Sequence, residues 1–337
     1  MRVPFQDMYN TFMKILTAVG CEQDCADLCA KIFTQNSCDG VYSHGLNMFP
    51  GVISNIKNGV IDINARPKKV HHFGACQVWN GNYGPGISNA HFAMAQAIHL
   101  AEKNGIGCAA MRNTNHWCRA GTYVIQAADA GCIGICWTNT IPNLPPWGSK
   151  QASLGNNPLA IAIPRAEGHL VLDMAMSQFS MGKMRVYQRA KEQLPVFGGY
   201  DADGKLTTDP AEIFQSERAL PIGLWKGSGL SLMLDLLAAI LSGGNNTFRI
   251  GKLGAEKNVS QVFIAIDTRK ISSAEFVRQI MEETIASVNR SQPAKKGDAV
   301  YYPGQRMLMT RADNLANGIP ADEEIWEQVL RSIASKP

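Results

Sequence analysis

Apolar and polar positions repeat with a helical period over much of the chain. Residues 5–19 and 22–36 predict two amphipathic helices separated by Gly20. The segment "ISNAHFAMAQAIHLAEKNG" is rich in helix formers and ends at Gly105, which predicts another helix. Further helices are predicted at 119–130, 181–193 and 273–290, between Ser43 and Gly59, in "GSGLSLMLDLLAAILSGG", and after Pro320.

Short apolar runs between these helices predict strands. They are "VHHFGACQVWN", "IGCAAMRN", "CIGICWTN", "LAIAIP", "HLVLDMA" and "SQVFIAID". Strands that alternate with helices are typical of an α/β layer with crossover connections. The segment "GSGLSLMLDLLAAILSGG" is apolar at most positions, so we expect that helix to be buried.

The composition is that of a soluble, enzyme-sized globular protein. The chain has 337 residues, of which 45% are hydrophobic and 18% charged, and its net charge is +4. The charges form no long run of one sign, so we expect no nucleic-acid partner. The N-terminus has no signal-peptide pattern, and the longest apolar stretch is interrupted by Asp235. We therefore expect a cytoplasmic protein without a membrane partner.

Three of the nine cysteines share one face of a predicted helix. Cys21, Cys25 and Cys29 follow one another at intervals of four residues. They form either a metal cluster or a row of reduced thiols facing the core. The second interpretation is favoured, because no histidines stand beside them. No metal site is predicted.

Several short segments could carry chemistry. Ser43-His44 lies at a loop-to-helix junction, where a helix-capping serine beside a structural histidine is the simpler explanation. Asn115-His116-Trp117 follows a predicted strand, at the end where α/β sheets bind ligands. Trp225-Lys226 opens a glycine-rich helix, which suits an anion. No G-x-G-x-x-G follows a strand, so the usual dinucleotide fingerprint is absent.

Taken in order, several motifs resemble one enzyme family. They are "GVYSHGLNMFP", "NHWCRAG", "GCIGICWTN", "PPWGSK", "GNNPLAIAIP", "VLDMAMSQFSMG" and "WKGSGLSLMLDLLAAILSGG". Together they resemble the malate/L-lactate dehydrogenase family that lacks the Rossmann fingerprint. The resemblance implies an NAD(P)H-dependent reductase of a small 2-oxo acid, with keto sugar acids among the candidates. NAD is the expected cofactor.

The resemblance also implies an architecture. We expect an α/β fold with a non-Rossmann mixed sheet flanked by helices. Residues 1–65 and 305–337 would form a helical subdomain, and residues 66–304 would bind cofactor and substrate. A homodimer with its active site near the subunit interface is implied as well.

Site residues follow from matching positions. The resemblance implies that His44 donates a proton to the substrate carbonyl, with Ser43 beside it and His116 as a second active-site histidine. Substrate contacts are expected from Asn115 and Arg119. The expected cofactor contacts are Thr140, His169, Leu170, Val171, Leu172, Asp173, Met174, Ala175, Trp225, Lys226, Gly304, Gln305 and Arg306. For Asp173, a bond to a ribose hydroxyl and a bond that caps its own loop both remain open.

One departure from the family pattern concerns the substrate. Met48 stands where the family usually carries arginine, whose planar fork pairs with a carboxylate. Arg112, Arg119 or Lys150 could replace it. A cyclic imino-acid reductase, a malate- or lactate-type dehydrogenase and a non-catalytic dinucleotide or metabolite binder are the alternative functions.

Overall fold

The computed structural model describes residues 1–334. Its α-helices are α1 Phe5–Ala18, α2 Gln23–Cys38, α3 Phe49–Lys57, α4 Gly86–Asn104, α5 Ala120–Asp129, α6 Met181–Ala190, α7 Pro210–Ser216, α8 Trp225–Ser242, α9 Thr247–Gly251, α10 Ala274–Asn289, α11 Gln305–Asn317 and α12 Glu323–Ala334. The helices predicted from apolar periodicity are confirmed, and their bounds move by a few residues. The segment after Ser43 is broken into two short 3-10 turns before α3 begins.

Seven strands form one mixed sheet. The strands of the structure are β1 Arg2–Val3, β2 Lys68–Phe73, β3 Cys76–Asn80, β4 Ile106–Asn115, β5 Cys132–Thr138, β6 Leu159–Ile163, β7 Leu170–Met174, β8 Gly199–Tyr200, β9 Leu206–Thr207, β10 Lys257–Asp267 and β11 Ile319–Pro320. The large sheet has the order β2-β3-β4-β10-β5-β6-β7. Only β3 and β4 are parallel neighbours, so the predicted α/β class with a mixed sheet is confirmed.

Strand β10 lies at the centre of this sheet, although it comes late in the chain. It pairs antiparallel with β4 on one side and with β5 on the other. Most of its side chains are buried, because helices cover both faces of the sheet at this position. The pairing brings Lys257, the first residue of β10, opposite Asn115, the last residue of β4. The connection before β10 therefore reaches the end of β4, where a ligand site was predicted.

One core joins the two ends of the chain. Helices α1, α2, α3 and α12 contribute to it, and β1 pairs with β11 beside it. Phe12 stacks on Phe49 with ring centroids 4.1 Å apart, and Phe33 meets both rings edge-on. The predicted burial of Cys21, Cys25 and Cys29 is confirmed, since all three thiols lie in this core. The domain boundaries stay a prediction.

Two further cores cover the faces of the large sheet. On one face, alanines of α4 and α5 lie on β4, β5 and β10, where small side chains allow a close approach. A Cβ at Gly107 would overlap the carbonyl oxygen of Ala97, so this strand and α4 touch through their backbones. On the other face, α8 packs through Leu234 and Ala238 against the sheet.

The prediction that α8 is buried is wrong in the single chain. The helix buries Gly227, Ser228, Ser231, Leu234, Asp235, Ala238 and Ser242, most of which are small or polar. Its large apolar side chains point outward instead, and Leu237 and Ile240 are 40% and 72% exposed. Within residues 1–334, no helix is long and apolar enough to cross a membrane.

Candidate active site

A cavity of about 550 Å³ opens where several segments converge. It lies between the turn before α3, the ends of β4 and β7, the loop after β5, and helices α6 and α11. Each of these segments contributes to the lining of the cavity. Among the lining residues are Ser43, His44, Met48, His116, Arg119, Thr140, Asn143, Asn156, Asp173, Arg185 and Glu256. Segments far apart in sequence therefore share one enclosed space, as expected for a small-molecule site.

His44 is held at the cavity by a tight local structure. It ends the 3-10 turn Tyr42–His44, and a Cβ at the following Gly45 would overlap the hydroxyl of Ser37 on α2. Ser43 Oγ lies 2.8 Å from His44 Nδ1. No side chain caps the turns or α3, so the predicted capping role of Ser43 is wrong. Ser43 instead orients the imidazole, which leaves Nε2 for a ligand.

His116 lies parallel to His44 just beyond the end of β4. The two ring centroids are 6.0 Å apart and the planes differ by 18°. His116 Nδ1 accepts the backbone N–H of Cys118 at 3.0 Å. In the neutral imidazole the proton therefore sits on Nε2, which lies 3.8 Å from Glu256 Oε1. The sequence analysis named His44 and His116 as candidate site residues in two separate segments, and the fold places their rings side by side.

Burial controls the charge of this group of side chains. Burial and, to a smaller extent, the neighbouring His116 together lower the pKa of His44 to about 4, although Asp173 acts in the opposite direction. Burial likewise lowers the pKa of His116 to about 4. It raises the pKa of Glu256 to about 7, although a backbone hydrogen bond from Ile141 opposes the shift. At neutral pH the site therefore holds two neutral imidazoles and a carboxyl group close to its pKa.

Glu256 is a site residue that sequence reasoning missed. It precedes β10, and the pairing of Lys257 with Asn115 sets it beside His116. A glutamate just before a buried strand does not by itself indicate a functional site. Glu256 could have been predicted only from the pairing of β10 with β4, and hydrophobic periodicity does not predict which strands pair. Arg185 on α6 and Asn143 after β5 were missed for the same reason, because the docking of α6 and of that loop is a tertiary property.

Arg119 lines the cavity, but its charge is already engaged. Its Nη1 lies 2.5 Å from Asp39, and its Nε lies 3.3 Å from Asp173. Asp39 also receives two bonds from Arg311, at 2.7 and 3.0 Å. Burial raises the pKa of Asp39, but its bonds to Arg311 and the charge of Arg119 outweigh burial and lower it overall. The network fixes α2, α5 and α11 around the cavity.

Asn115 and Asp173 have structural bonds. Asn115 Nδ2 donates to the carbonyls of Tyr83 and Gly84, at 2.8 and 3.0 Å, and the residue is outside the cavity lining. Asp173 Oδ2 accepts the backbone N–H of Gly121 at 2.9 Å, at the start of α5. This bond satisfies a helix N-terminus rather than the loop of Asp173 itself. Contact of Asn115 with substrate stays a prediction.

The expected cofactor residues divide into three groups. Those at the cavity are Thr140, Val171, Asp173, Met174, Ala175 and Gly304. His169 lies instead in a neighbouring cavity of about 430 Å³, with its Nε2 2.9 Å from Asp129. Leu170, Leu172, Trp225, Lys226, Gln305 and Arg306 line neither space. Trp225 and Lys226 begin α8 at the outer surface, whereas Gln305 Oε1 accepts the N–H of Tyr302 before α11.

The residues at the cavity fit an extended polar ligand. Gly304 has a φ of +97°, and a Cβ there would come within 2.9 Å of the backbone of Val171, so the loop before α11 lies directly against β7. The wall of the cavity along β7 is formed by Val171, Asp173, Met174 and Ala175. A mostly apolar wall with one carboxylate suits the nicotinamide end of a dinucleotide, which has a flat ring and a polar amide.

Paired imidazoles and a carboxyl group at one cavity are typical of sites that move protons on a small molecule. A sequence model described as malate/L-lactate dehydrogenase matches residues 3–330, and the chain belongs to that family. It is therefore an oxidoreductase.

Individual relatives agree with this membership. The 2,3-diketo-L-gulonate reductases of Citrobacter koseri and Escherichia coli are each 40% identical over 330 residues, which is 98% of this chain and 99% of theirs. The solved sulfolactate dehydrogenase of Methanocaldococcus jannaschii is 30% identical with a TM-score of 0.91, covering 99% of this chain and 97% of its own. The delta1-piperideine-2-carboxylate reductase of Pseudomonas syringae is 27% identical with a TM-score of 0.86, covering 98% and 99%.

Proposed function

We propose that the protein reduces the carbonyl group of a small 2-oxo acid with NADH, and that His44 is the proton donor. The observation that carries the proposal is the stacked pair of His44 and His116 at a cavity that also includes Asp173 and Ala175. A bound nicotinamide cofactor supplies the hydride. The chain's own task is to bring the proton and to hold the substrate.

His44 has the geometry of a proton donor. With Nδ1 engaged by Ser43, the protonated ring presents Nε2–H to the substrate oxygen, where negative charge develops as the carbonyl carbon is reduced. His116 and Glu256 lie behind it as a second imidazole and a carboxyl group. They form a polar wall that helps to exclude bulk water and keeps the two rings parallel.

The low pKa of His44 does not oppose this role. Its pKa of about 4 belongs to the unliganded cavity, where burial is the main cause of the shift. A substrate carboxylate brings a negative charge close to the ring and raises that pKa toward neutrality. The developing alkoxide acts in the same direction. The proton is therefore held most firmly when substrate is present.

Among 2-oxo acids, 2,3-diketo-L-gulonate is the first candidate. The relatives at 40% identity carry that substrate in their name, and the match covers almost the whole of both chains. A cyclic imino acid is the second candidate, because the solved relative from Pseudomonas syringae is a reductase of that class. A protonated imine needs no proton from His44, so imine reduction that survives in a His44→Gln variant would distinguish this alternative.

The test is a panel assay that follows nicotinamide absorbance. Purified protein is mixed with NADH, and separately with NADPH, against 2,3-diketo-L-gulonate, pyruvate, oxaloacetate and delta1-piperideine-2-carboxylate. Oxidation of NADH by a 2-oxo acid is the expected result. Turnover of the imine alone would favour the second candidate. Cofactor binding without turnover on any compound would favour a non-catalytic binder.

The role of His44 is tested by the variant His44→Gln. We expect kcat for a 2-oxo acid to fall by roughly 10²- to 10⁴-fold, while the Kd for NADH is unchanged. His99→Gln is the matched control, since His99 lies on the exposed face of α4. Full activity in His44→Gln would contradict its role as proton donor.

We further propose that the protein is a cytoplasmic homodimer in which the outer face of α8 is covered by a second copy. That face exposes Leu230, Leu232, Met233, Leu236, Leu237, Ile240 and Leu241, which is more apolar surface than a monomer commonly presents. The nine cysteines are free thiols, in agreement with a reducing compartment. Light scattering of the wild type and of Ile240→Arg tests the dimer. A wild type that is monomeric at micromolar concentration would contradict it.

A further inference from the structure

The substrate of the proposed function is an acid, so its carboxylate needs a cation in the cavity. An unpaired buried carboxylate is costly, and arginine is the side chain best suited to hold one. Met48 lines the cavity and cannot do this. The structure allows the charged residues around the cavity to be compared directly.

The three cations considered from the sequence do not fill this place. Arg119 already bonds to two carboxylates, Asp39 and Asp173. Arg112 is outside the cavity lining, and its Nη1 donates to the carbonyl of Gly243 at the end of α8. Lys150 lies on an exposed loop and is likewise outside the lining.

Arg185 has the required position. It lies on helix α6. The N-terminus of this helix packs against the turn that contains Ser43 and His44, so closely that a Cβ added at Gly182 would be 2.6 Å from Ser43 Cβ. Arg185 lines the cavity, and no carboxylate among residues 1–334 lies within ion-pair distance of it. Arg189, one turn further along α6, is instead paired with Asp322 at 3.1 Å. Of the cations that line the cavity, Arg185 is therefore the one still available to a ligand.

We propose that Arg185 binds the carboxylate of the acid substrate. This inference rests on the proposed function and names the residue of the same site that holds the acid group. Arg185 is an exposed side chain of α6 that lines the cavity, so an incoming acid can reach it. Arg185 would then take the place that Met48 leaves without a charge.

The experiment compares Arg185→Gln with the control Arg189→Gln. Calorimetric Kd values for 2,3-diketo-L-gulonate and for pyruvate are measured with NAD⁺ present, so that binding is read without turnover. We expect Arg185→Gln to weaken both acids by roughly 10- to 100-fold and to raise their KM similarly. The Kd for NADH should not change, and Arg189→Gln should resemble the wild type. Adding Met48→Arg to Arg185→Gln should restore much of the affinity.

The outcomes separate this inference from the function on which it rests. A wild type that reduces no 2-oxo acid would refute the proposed function, and the calorimetry would still show whether Arg185 binds the acids. A wild type that turns over, with acid affinity unchanged in Arg185→Gln, would refute the inference alone. A weaker NADH affinity in Arg185→Gln would also overturn it, because Arg185 would then contact the cofactor.

Discussion

Glu256 offers a test of the electrostatics of the cavity. Its side chain is 25% exposed and lies beside His116, and burial raises its pKa to about 7. In the unfolded chain the same carboxyl group returns to its ordinary value of 4.5. The folded protein therefore holds this proton over a pH range in which the unfolded chain has lost it. We predict that Glu256→Gln is more stable than the wild type above neutral pH.

The direction and size follow from proton linkage. Because the folded pKa is raised, the protonated carboxyl favours folding below pH 4.5, and this contribution is lost as the pH rises through 7. A shift from 4.5 to about 7 makes ionised Glu256 cost up to about 3 kcal/mol, of which about 2 to 2.5 kcal/mol develops between pH 5 and pH 8. Glutamine stays neutral at every pH and avoids this cost.

The assay is thermal unfolding of both proteins from pH 5 to pH 8. His44 and His116 have pKa values of about 4, so both stay neutral in the folded protein across this window. Their ionisation in the unfolded chain is the same in both proteins and cancels in the difference. The advantage of Glu256→Gln in Tm should grow with pH, to on the order of 5 °C at pH 8.

Glu192→Gln is the matched control, because Glu192 is exposed in the loop after α6. It removes one exposed carboxyl group and gives the background against which the Glu256→Gln difference is read. A difference for Glu256→Gln that is flat across the window, or that favours the wild type at pH 8, would show that the carboxylate is already ionised and solvated. The account of the cavity as a low-dielectric site would then be wrong.

Three further predictions concern orientation and packing. Ser43→Ala removes the bond to His44 Nδ1, so kcat should fall by roughly 10-fold with NADH affinity kept; unchanged kcat would contradict an orienting role. Asp39→Asn breaks a buried ion-pair network and should lower the free energy of unfolding by about 3–5 kcal/mol in urea titration, whereas a change below about 1 kcal/mol would show the pairs to be dispensable. Phe12→Ala empties the Phe12–Phe49 stack and should cost about 3–5 kcal/mol by the same measurement, with the exposed Phe276→Ala near zero.

The individual helices and strands of this fold can be predicted from the sequence, but which of them lie next to one another in space cannot. Helices such as α4 and strands such as β5 follow from periodicity and from glycine stops, which act within a few residues. The position of β10 between β4 and β5 depends on contacts across more than a hundred residues. The outward face of α8 depends on what covers it, which a hydrophobic pattern does not specify.

The same limit applies to the site. His44 and His116 were predicted because they lie in recognisable motifs at the ends of local elements. Glu256, Arg185 and Asn143 were not, because each reaches the cavity only through strand pairing or helix docking. Arg119 was predicted as a substrate ligand, and its two carboxylate partners could not be foreseen from spacing alone.

The central place of β10 has a consequence for the chain as it leaves the ribosome. Strands β4 and β5 are synthesised early, but each needs β10 as its hydrogen-bonded neighbour. The first core likewise waits for Ile319 and Trp326. The sheet cannot close before Asp267 has been translated, and that core cannot close before Trp326. Nascent chains should therefore expose strand edges for most of synthesis and depend on chaperones that shield them.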